Sequence, residues 1–172
     1  MATTQVSLDE YLRTHYEPDC DYVDSELEER NTGELQHSLT MSFVVGSFGA
    51  QEEKAKLRAL PVLRLRTSAT RVRVADVAIL PDKIPYEAVP SRPPVAIIEV
   101  LSPEDRVSRY QQRLDDYRAM GVVNLWVIDP IRRRAFDCSQ GGWQPVDVLR
   151  MTNPAVEISL DPLWKKLAEL HS

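Results

Sequence analysis

Residues 95–101 read VAIIEVL, a short aliphatic run interrupted by one glutamate. Such a run is typical of a strand that is buried on both faces of a sheet. The next segment predicts a helix, with Ser102 as its N-cap and Pro103 in the first helical position, running to about Met120. A second buried strand follows at residues 122–128, VVNLWVI. A strand, a helix and a strand form a crossover, so we expect an α/β fold with a mixed sheet and helices on both faces.

The elements outside this unit can be predicted from caps, periodicity and turn residues. Ser7 followed by Glu10 forms a capping box, and five prolines at residues 81–94 predict a loop. The predicted elements are helices at residues 7–14, 34–56 and 162–170, strands at 22–30, 62–65 and 72–80, and a hairpin of 135–138 with 143–149.

The composition narrows the class of protein. The chain has 172 residues, 43% hydrophobic and 27% charged, which suits one globular domain over residues 1–172. The net charge of −5 disfavours a protein that coats nucleic acid over its whole surface, although a local basic groove stays open. No apolar run approaches the roughly 18 residues of a membrane helix. Cys20 and Cys138 match no zinc or disulfide motif, so we expect a cytoplasmic protein without a membrane segment.

Arginine supplies most of the positive charge, and the arginines are clustered. The clusters are Arg64, Arg66, Arg71 and Arg73, and Arg106, Arg109 and Arg113. Clustered charges usually form a solvated face. The alternative is phosphate binding, because a guanidinium group matches the geometry of phosphate oxygens. The sequence leaves both interpretations open.

Two carboxylates interrupt strands that are otherwise apolar. Glu99 lies within VAIIEVL, and Asp76 lies within VRVADVAIL at residues 72–80. A buried carboxylate is costly unless it is paired or bound to a metal. One interpretation is a structural ion pair. The other is a shared hard cation, because acids at facing positions of neighbouring strands place their oxygens close together.

Five segments carry a resemblance to a known family. They are DYVDSELEERN at residues 21–31, HSL at 37–39, RVADVAIL at 73–80, IIEVLSPEDR at 97–106 and YRAMGVVNLWVIDP at 117–130. In this order they resemble the Uma-type putative restriction endonuclease family, and the likeness runs from about residue 7 to residue 149. That family belongs to the PD-(D/E)xK nuclease superfamily. The resemblance therefore implies a restriction-endonuclease-like mixed sheet flanked by helices.

The resemblance also implies a metal site. Asp76 and Glu99 match the two acids of the family, and the backbone carbonyl of Val100 would be a third ligand. The implied cofactor is Mg²⁺, with Mn²⁺ as a substitute. The lysine of the superfamily corresponds to Arg113, which helical geometry places beside the core-facing stripe. An arginine can stabilise negative charge but has no lone pair with which to accept a proton from water.

Three residues nearer the N-terminus complete the implied site. Asp21 matches the acid that opens the first strand, Glu26 follows it, and His37 matches a histidine on the next helix. Without the resemblance, Asp21 and Glu26 would be interpreted as solvated acids. His37 would be interpreted as a packing or hydrogen-bonding residue.

These residues predict a metal-dependent endonuclease that hydrolyses DNA phosphodiester bonds. A homodimer is plausible because cleavage of a duplex needs two active sites. The alternative is a catalytically impaired nuclease-fold protein that acts as a DNA-binding or protein-interaction module. In a third interpretation, the chain is a structural subunit whose acids merely pair with Arg113. Metal binding separates the first two interpretations from the third, and cleavage separates the first from the second.

Overall fold

The computed structural model of the protein describes residues 5–31, 33–103 and 107–170. The helices are α1 (Leu8–Arg13), α2 (Leu35–Gly49), α3 (Glu52–Ala55), α4 (Val107–Met120) and α5 (Asp161–Glu169). The strands are β1 (Cys20–Val23), β2 (Glu26–Glu29), β3 (Leu57–Arg66), β4 (Arg71–Pro81), β5 (Ala96–Val100), β6 (Leu125–Asp129), β7 (Arg134–Asp137), β8 (Gln144–Val146), β9 (Val148–Thr152) and β10 (Ala155–Ser159). Within the described ranges, no helix has the length and apolar character needed to cross a bilayer.

Most of the strands form one mixed sheet. Its order is β2-β1-β4-β5-β6-β7-β8, and β3 also pairs with β4. Strands β5 and β6 are parallel and lie on either side of α4 in the chain, whereas β4 pairs antiparallel with β5. The crossover predicted from the sequence is therefore confirmed, and with it the α/β class. Strands β9 and β10 form a separate antiparallel pair.

Hydrophobic cores lie on both faces of the main sheet. On β5, Ile98 belongs to a core that includes Phe48 of α2, and Ile97 belongs to a second core that includes Leu114 of α4. Successive side chains of a strand point to opposite faces. Glu99 therefore shares the α4 face of β5 with Ile97.

A gap opens beside the middle of β4. Strand β3 pairs with one side of β4 at both Val72 and Val77. On the opposite side, β1 pairs with Val72 and β5 pairs with Val77. Among the described residues, no strand pairs with residues 73–76 on that side. Side chains must satisfy the backbone groups of this gap, since buried peptide groups are costly when unpaired.

The segment 22–30, which we predicted as one strand, is a hairpin of β1 and β2. The turn between them contains Asp24 at φ +50° and Ser25 at φ +78°. Ser25 stands where the resemblance implies a glycine, the residue that tolerates positive φ without strain. The one-strand prediction was wrong because the alternation of apolar and polar residues masks this turn.

Other boundaries also differ from the prediction. The helix at 34–56 is divided into α2 and α3, β3 begins at Leu57, and residues 143–149 contain β8 and the start of β9. The crossover helix is described from Val107 onward. Its predicted N-cap, Ser102, is separated from it by residues 104–106, which lie outside the described residues. The N-cap of α1 at Ser7 is confirmed, since the Ser7 Oγ accepts a hydrogen bond from the Glu10 backbone N–H at 3.2 Å.

Candidate active site

Asp76 and Glu99 lie where β4 and β5 cease to pair. The last pair of this antiparallel ladder is Val77 with Ile98, and Asp76 and Glu99 are the next residue of each strand. Both side chains are buried, with 2% and 0% of their residues exposed. The expectation that the two acids occupy neighbouring strands is confirmed.

The carboxylate of Asp76 is fully engaged by donors from three elements. The Val100 backbone N–H donates to Asp76 Oδ2 at 2.8 Å. The Arg30 guanidinium donates to Oδ1, and His37 Nε2 lies 3.5 Å from Oδ2. Burial alone would raise the pKa of Asp76, but His37 and Arg30 outweigh it and hold the pKa well below its usual range. Asp76 is therefore an ionised carboxylate at neutral pH.

His37 of the helix α2 contacts Asp76. Burial lowers the pKa of His37, but the hydrogen bond to Asp76 and the negative charge of that carboxylate raise it further, to above its ordinary value of 6.5. Asp76 therefore stabilises the imidazolium form of His37. The hydrogen-bonding role expected for His37 is confirmed, with Asp76 as its partner.

Glu99 is held by the helix α4. Arg113 Nη2 donates to its two oxygens at 3.0 and 3.2 Å, and the Tyr117 hydroxyl donates to Oε1 at 2.6 Å. Burial raises the pKa of Glu99 to about 7, since the stabilising charge of Arg113 does not compensate fully and the charge of Asp76 adds to the rise. The two acids thus differ, with Asp76 ionised and Glu99 titrating near neutrality.

Arg113 fills the gap beside β4. Its Nη2 donates to the Val74 carbonyl at 2.7 Å, and its Nη1 forms an ion pair with Asp21. Asp21 in turn accepts the Val74 backbone N–H at 2.8 Å. The side chains of Asp21 and Arg113 therefore satisfy the N–H and the carbonyl of Val74 in the gap. The interpretation of Asp21 as a solvated acid is wrong, because only 1% of it is exposed.

A second buried arginine, Arg73, lies behind this pair. It donates to Asp21 at 3.0 Å, to Glu28 at 2.8 Å and to Asp116 of α4 at 2.7 Å. Arg73 is fully buried, so the solvated-face interpretation of the arginine clusters is wrong for Arg73 and for Arg113. Buried guanidinium groups persist only with such paired carboxylates. Arg106 of the second cluster lies outside the described residues.

Glu26 is not brought to this group of side chains. The register of the hairpin pairs Asp21 with Glu28 and Val23 with Glu26. Glu28 therefore lies beside Asp21 and reaches Arg73, whereas Glu26 is exposed near the turn. The acid that accompanies Asp21 is Glu28, two residues after the one expected.

A narrow cleft lies over Asp76. The residues that line it are Glu29, Arg30, Asn31, His37, Asp76, Ser102, Arg109, Tyr110 and Arg113. Arg109 crosses the rim and donates to the Glu29 carbonyl at 2.6 Å. Three arginines and a histidine thus surround one buried carboxylate. The cleft suits a negatively charged group such as a phosphate above a carboxylate floor.

Asp76 and Glu99 offer carboxylate oxygens, the type of ligand that a hard cation takes. Within the described residues, no group of three His, Cys, Asp or Glu side chains could hold a metal. Asp76 and Glu99 would be joined by the Val100 carbonyl, which now accepts the Tyr110 hydroxyl at 3.0 Å. One or two carboxylates, completed by water and substrate oxygens, are the donor set of Mg²⁺ rather than of a closed zinc site.

The profile of the Uma2 family, described as putative restriction endonucleases, matches residues 8–165. The chain belongs to this family. A putative nuclease of DUF820 from Anabaena variabilis ATCC 29413 is similar in structure, with a TM-score of 0.83 at 22% sequence identity, over 94% of this chain and 99% of that chain. None of the curated proteins matches the chain. The family predicted from the sequence is confirmed, and the chain shares the fold of this neighbour.

Several residues of the site were not found from the sequence. Arg30 and Glu28 lie in a segment rich in charge, where nothing in the periodicity marks an inward-facing side chain. Arg73 lies in an apolar strand but was grouped with the other arginines of its cluster. Nothing in the sequence indicated that the Tyr117 hydroxyl contacts Glu99. The pairing of these groups depends on the gap in the sheet, which only the three-dimensional arrangement reveals.

Proposed function

We propose that this protein is an endonuclease that hydrolyses DNA phosphodiester bonds with the help of a divalent metal, Mg²⁺ or its substitute Mn²⁺. The observation that carries the proposal is the pair Asp76 and Glu99, buried where β4 and β5 cease to pair, beneath a cleft lined by arginines. Membership of the Uma2 family supports a nuclease-like protein whose substrate is nucleic acid.

One group of residues would bind the metal, and another would bind the phosphodiester. Asp76, Glu99 and the Val100 carbonyl would hold the metal, which supplies a Lewis acid and a nucleophilic water when bound. Arg30 and Arg109 line the cleft above them. Their guanidinium groups would hold the phosphodiester and offset its charge.

Arg113 favours a second candidate function. Its Nη atoms are engaged by Asp21, Glu99 and the Val74 carbonyl, and an arginine cannot accept a proton from a water molecule. A protein with this substitution can keep the fold and the basic cleft without turnover. The alternative is therefore a catalytically impaired nuclease-fold protein that binds DNA or a protein partner.

Cleavage assays separate the two candidates. Supercoiled plasmid and labelled DNA and RNA would be incubated with Mg²⁺, with Mn²⁺ and with EDTA. We expect slow metal-dependent cleavage of DNA that is absent in Asp76→Asn purified in the same way. Cleavage that persists in Asp76→Asn would come from a contaminating nuclease. DNA binding without cleavage in either metal would support the second candidate.

The proposal extends to assembly and location. Cutting both strands of a duplex requires two clefts, so we propose a homodimer on DNA, which light scattering with and without a duplex would detect. Cys20 and Cys138 are both buried and free. Free thiols are consistent with a reducing compartment, and we propose the cytoplasm.

A further inference from the structure

Arg30 occupies the carboxylate that the proposed metal would use. It follows β2 directly, and its guanidinium donates to Asp76 Oδ1. The side chain of Arg30 is 18% exposed and lines the cleft, whereas that of Asp76 is 2% exposed. In this ion pair the carboxylate is therefore buried, whereas the guanidinium group can be reached from solvent.

A guanidinium and a divalent cation compete for such a carboxylate. The other oxygen of Asp76 already takes the Val100 N–H and the His37 contact, so Oδ1 is the oxygen most open to a cation. Two positive groups on one buried acid repel strongly, because low dielectric weakens screening. Arg30 must therefore leave Asp76 before a cation binds tightly.

A displaced Arg30 would meet more positive than negative charge in the cleft. Once a cation holds Asp76, the acid that remains among the lining residues is Glu29, against Arg109 and Arg113. An anion in the cleft would offset this excess of positive charge, since it would accept from Arg30 and lie near the neighbouring guanidinium groups.

We infer that Arg30 is an exchangeable counter-ion, which leaves Asp76 for a phosphate group of the nucleic acid and so opens Asp76 to the divalent cation. This inference rests on the proposed function and adds the order in which its parts assemble. Phosphate and cation would each favour binding of the other, since both require the same movement of Arg30. The cation alone would bind weakly.

Calorimetric titration with Mn²⁺ tests the exchange without any cleavage assay. We expect Arg30→Gln to bind Mn²⁺ at least about 10-fold more tightly than the wild type, because a neighbouring charge shifts proton affinity of a carboxylate by one unit or more. Arg109→Gln is the matched control. It removes the same charge from the same cleft, but its contacts are with the Glu29 carbonyl and the Glu28 carboxylate rather than with Asp76.

A second measurement uses the unmodified protein and does not depend on a variant that folds. Mn²⁺ is titrated in chloride and in sulfate at equal ionic strength, with sulfate as a tetrahedral dianion in place of phosphate. Sulfate should tighten Mn²⁺ binding to the wild type several-fold and leave Arg30→Gln unchanged. The same titrations on Asp76→Ala would show whether the binding measured is at this acid.

The outcomes separate failure of the exchange from failure of the proposed function. Equal Mn²⁺ affinity in wild type and Arg30→Gln, with no effect of sulfate and with binding lost in Asp76→Ala, would overturn the exchange and leave the metal site intact. An equal gain in Arg109→Gln would also overturn it, because the effect would then be one of general charge. No Mn²⁺ binding to any variant would overturn both the exchange and the metal-dependent function.

Discussion

Arg113 of α4 donates to Glu99 of β5 at 3.0 Å, and the same guanidinium reaches Asp21 of β1 and the Val74 carbonyl of β4. One side chain thus joins a helix to three strands at the gap in the sheet. The planar guanidinium group suits this task, since its donors point in fixed directions at several acceptors. The resemblance implies a lysine of the superfamily at this position. A lysine carries its donors on one atom, so it would reach fewer of these acceptors than Arg113 does.

Replacement of Arg113 by lysine should raise the rate of DNA cleavage and lower the stability of the fold. We expect Arg113→Lys to raise DNA cleavage by about 10–100-fold, the range for one positioned proton-transfer group, because burial can tune a lysine towards neutrality. It should lower the free energy of unfolding by about 1–3 kcal/mol, since one ammonium cannot meet all the acceptors. Single-turnover cleavage and urea unfolding measure the two effects.

The control for this variant combines it with Glu99→Ala, which should be inert in cleavage. If neither the wild type nor Arg113→Lys cuts DNA or RNA while Mn²⁺ still binds, the catalytic proposal fails. The protein would then be a binding module on a nuclease scaffold.

The Tyr117 hydroxyl should stabilise the fold through Glu99. Tyr117→Phe removes a donor that lies 2.6 Å from Glu99 Oε1 in a fully buried position. At a pH above the Glu99 pKa of about 7, where this acid is ionised, we expect a loss of about 1.5–3 kcal/mol in urea unfolding, the range for a hydrogen bond to a charged group. Tyr110→Phe makes the same change on the same helix, but its hydroxyl donates to the neutral Val100 carbonyl, so we expect a smaller loss of about 1 kcal/mol. Equal losses would contradict a special role for Glu99.

Asp21 should make the protein sensitive to acid. Burial raises the pKa of Asp21, but Arg113, Arg73 and the Val74 N–H lower it more, so the folded value lies below the ordinary 3.8. A carboxyl group with a lowered pKa contributes stability that is complete above its unfolded pKa and is lost as pH falls towards the folded pKa. The wild type should therefore lose stability below about pH 4.

The variant Asp21→Asn should be less stable at pH 7 and should show a flatter loss of stability below about pH 4. Asp147→Asn, at an exposed position, is the control and should retain the acid dependence of the wild type. Thermal unfolding between pH 3 and pH 7 measures both. An unchanged slope in Asp21→Asn would show that other carboxyl groups dominate the acid transition.

Val62 should be a site where glycine stabilises the protein. It has φ +50° in the strand β3, between the pairs Pro61–Val77 and Leu63–Ala75, and 52% of it is exposed. A branched side chain is strained in this conformation, and little burial offsets the strain. We expect Val62→Gly to raise the free energy of unfolding by about 1 kcal/mol, despite the greater entropy of glycine in the unfolded chain.

Val62→Ala is the matched control, because it shortens the side chain but keeps a Cβ atom at positive φ. It should give little or no gain in thermal stability. A loss of stability in Val62→Gly equal to that in Val62→Ala would show that the side chain itself, rather than backbone strain, decides the outcome.

The sequence predicted those parts of the fold that depend on local pattern. The runs around Glu99 and Trp126 are continuous and aliphatic, so the buried strands β5 and β6 and the crossover between them could be predicted. Asp76 and Glu99 stood out for the same reason, since a carboxylate is conspicuous in an apolar strand. Trp126 is buried as expected.

The sequence did not predict the parts that depend on the arrangement of strands. Arg30 lies in a segment rich in charge, so it resembles a surface residue in the sequence. Arg73 is buried with the carboxylates that it pairs with, and these come from other elements. Glu28 rather than Glu26 lies beside Asp21 because the hairpin register places Glu28 opposite Asp21. A turn with positive φ at Ser25 sets that register, and serine seldom signals such a turn.

The most direct test of the central claim is to locate the metal. Crystals soaked with Mn²⁺ in the presence of sulfate, or grown with a short DNA duplex, would be measured for anomalous scattering at the manganese edge. The account predicts a peak bound by the carboxylates of both Asp76 and Glu99, with Arg30 displaced from Asp76. A map with no peak at these acids, and with Arg30 and Arg113 still paired to them at saturating Mn²⁺, would contradict it.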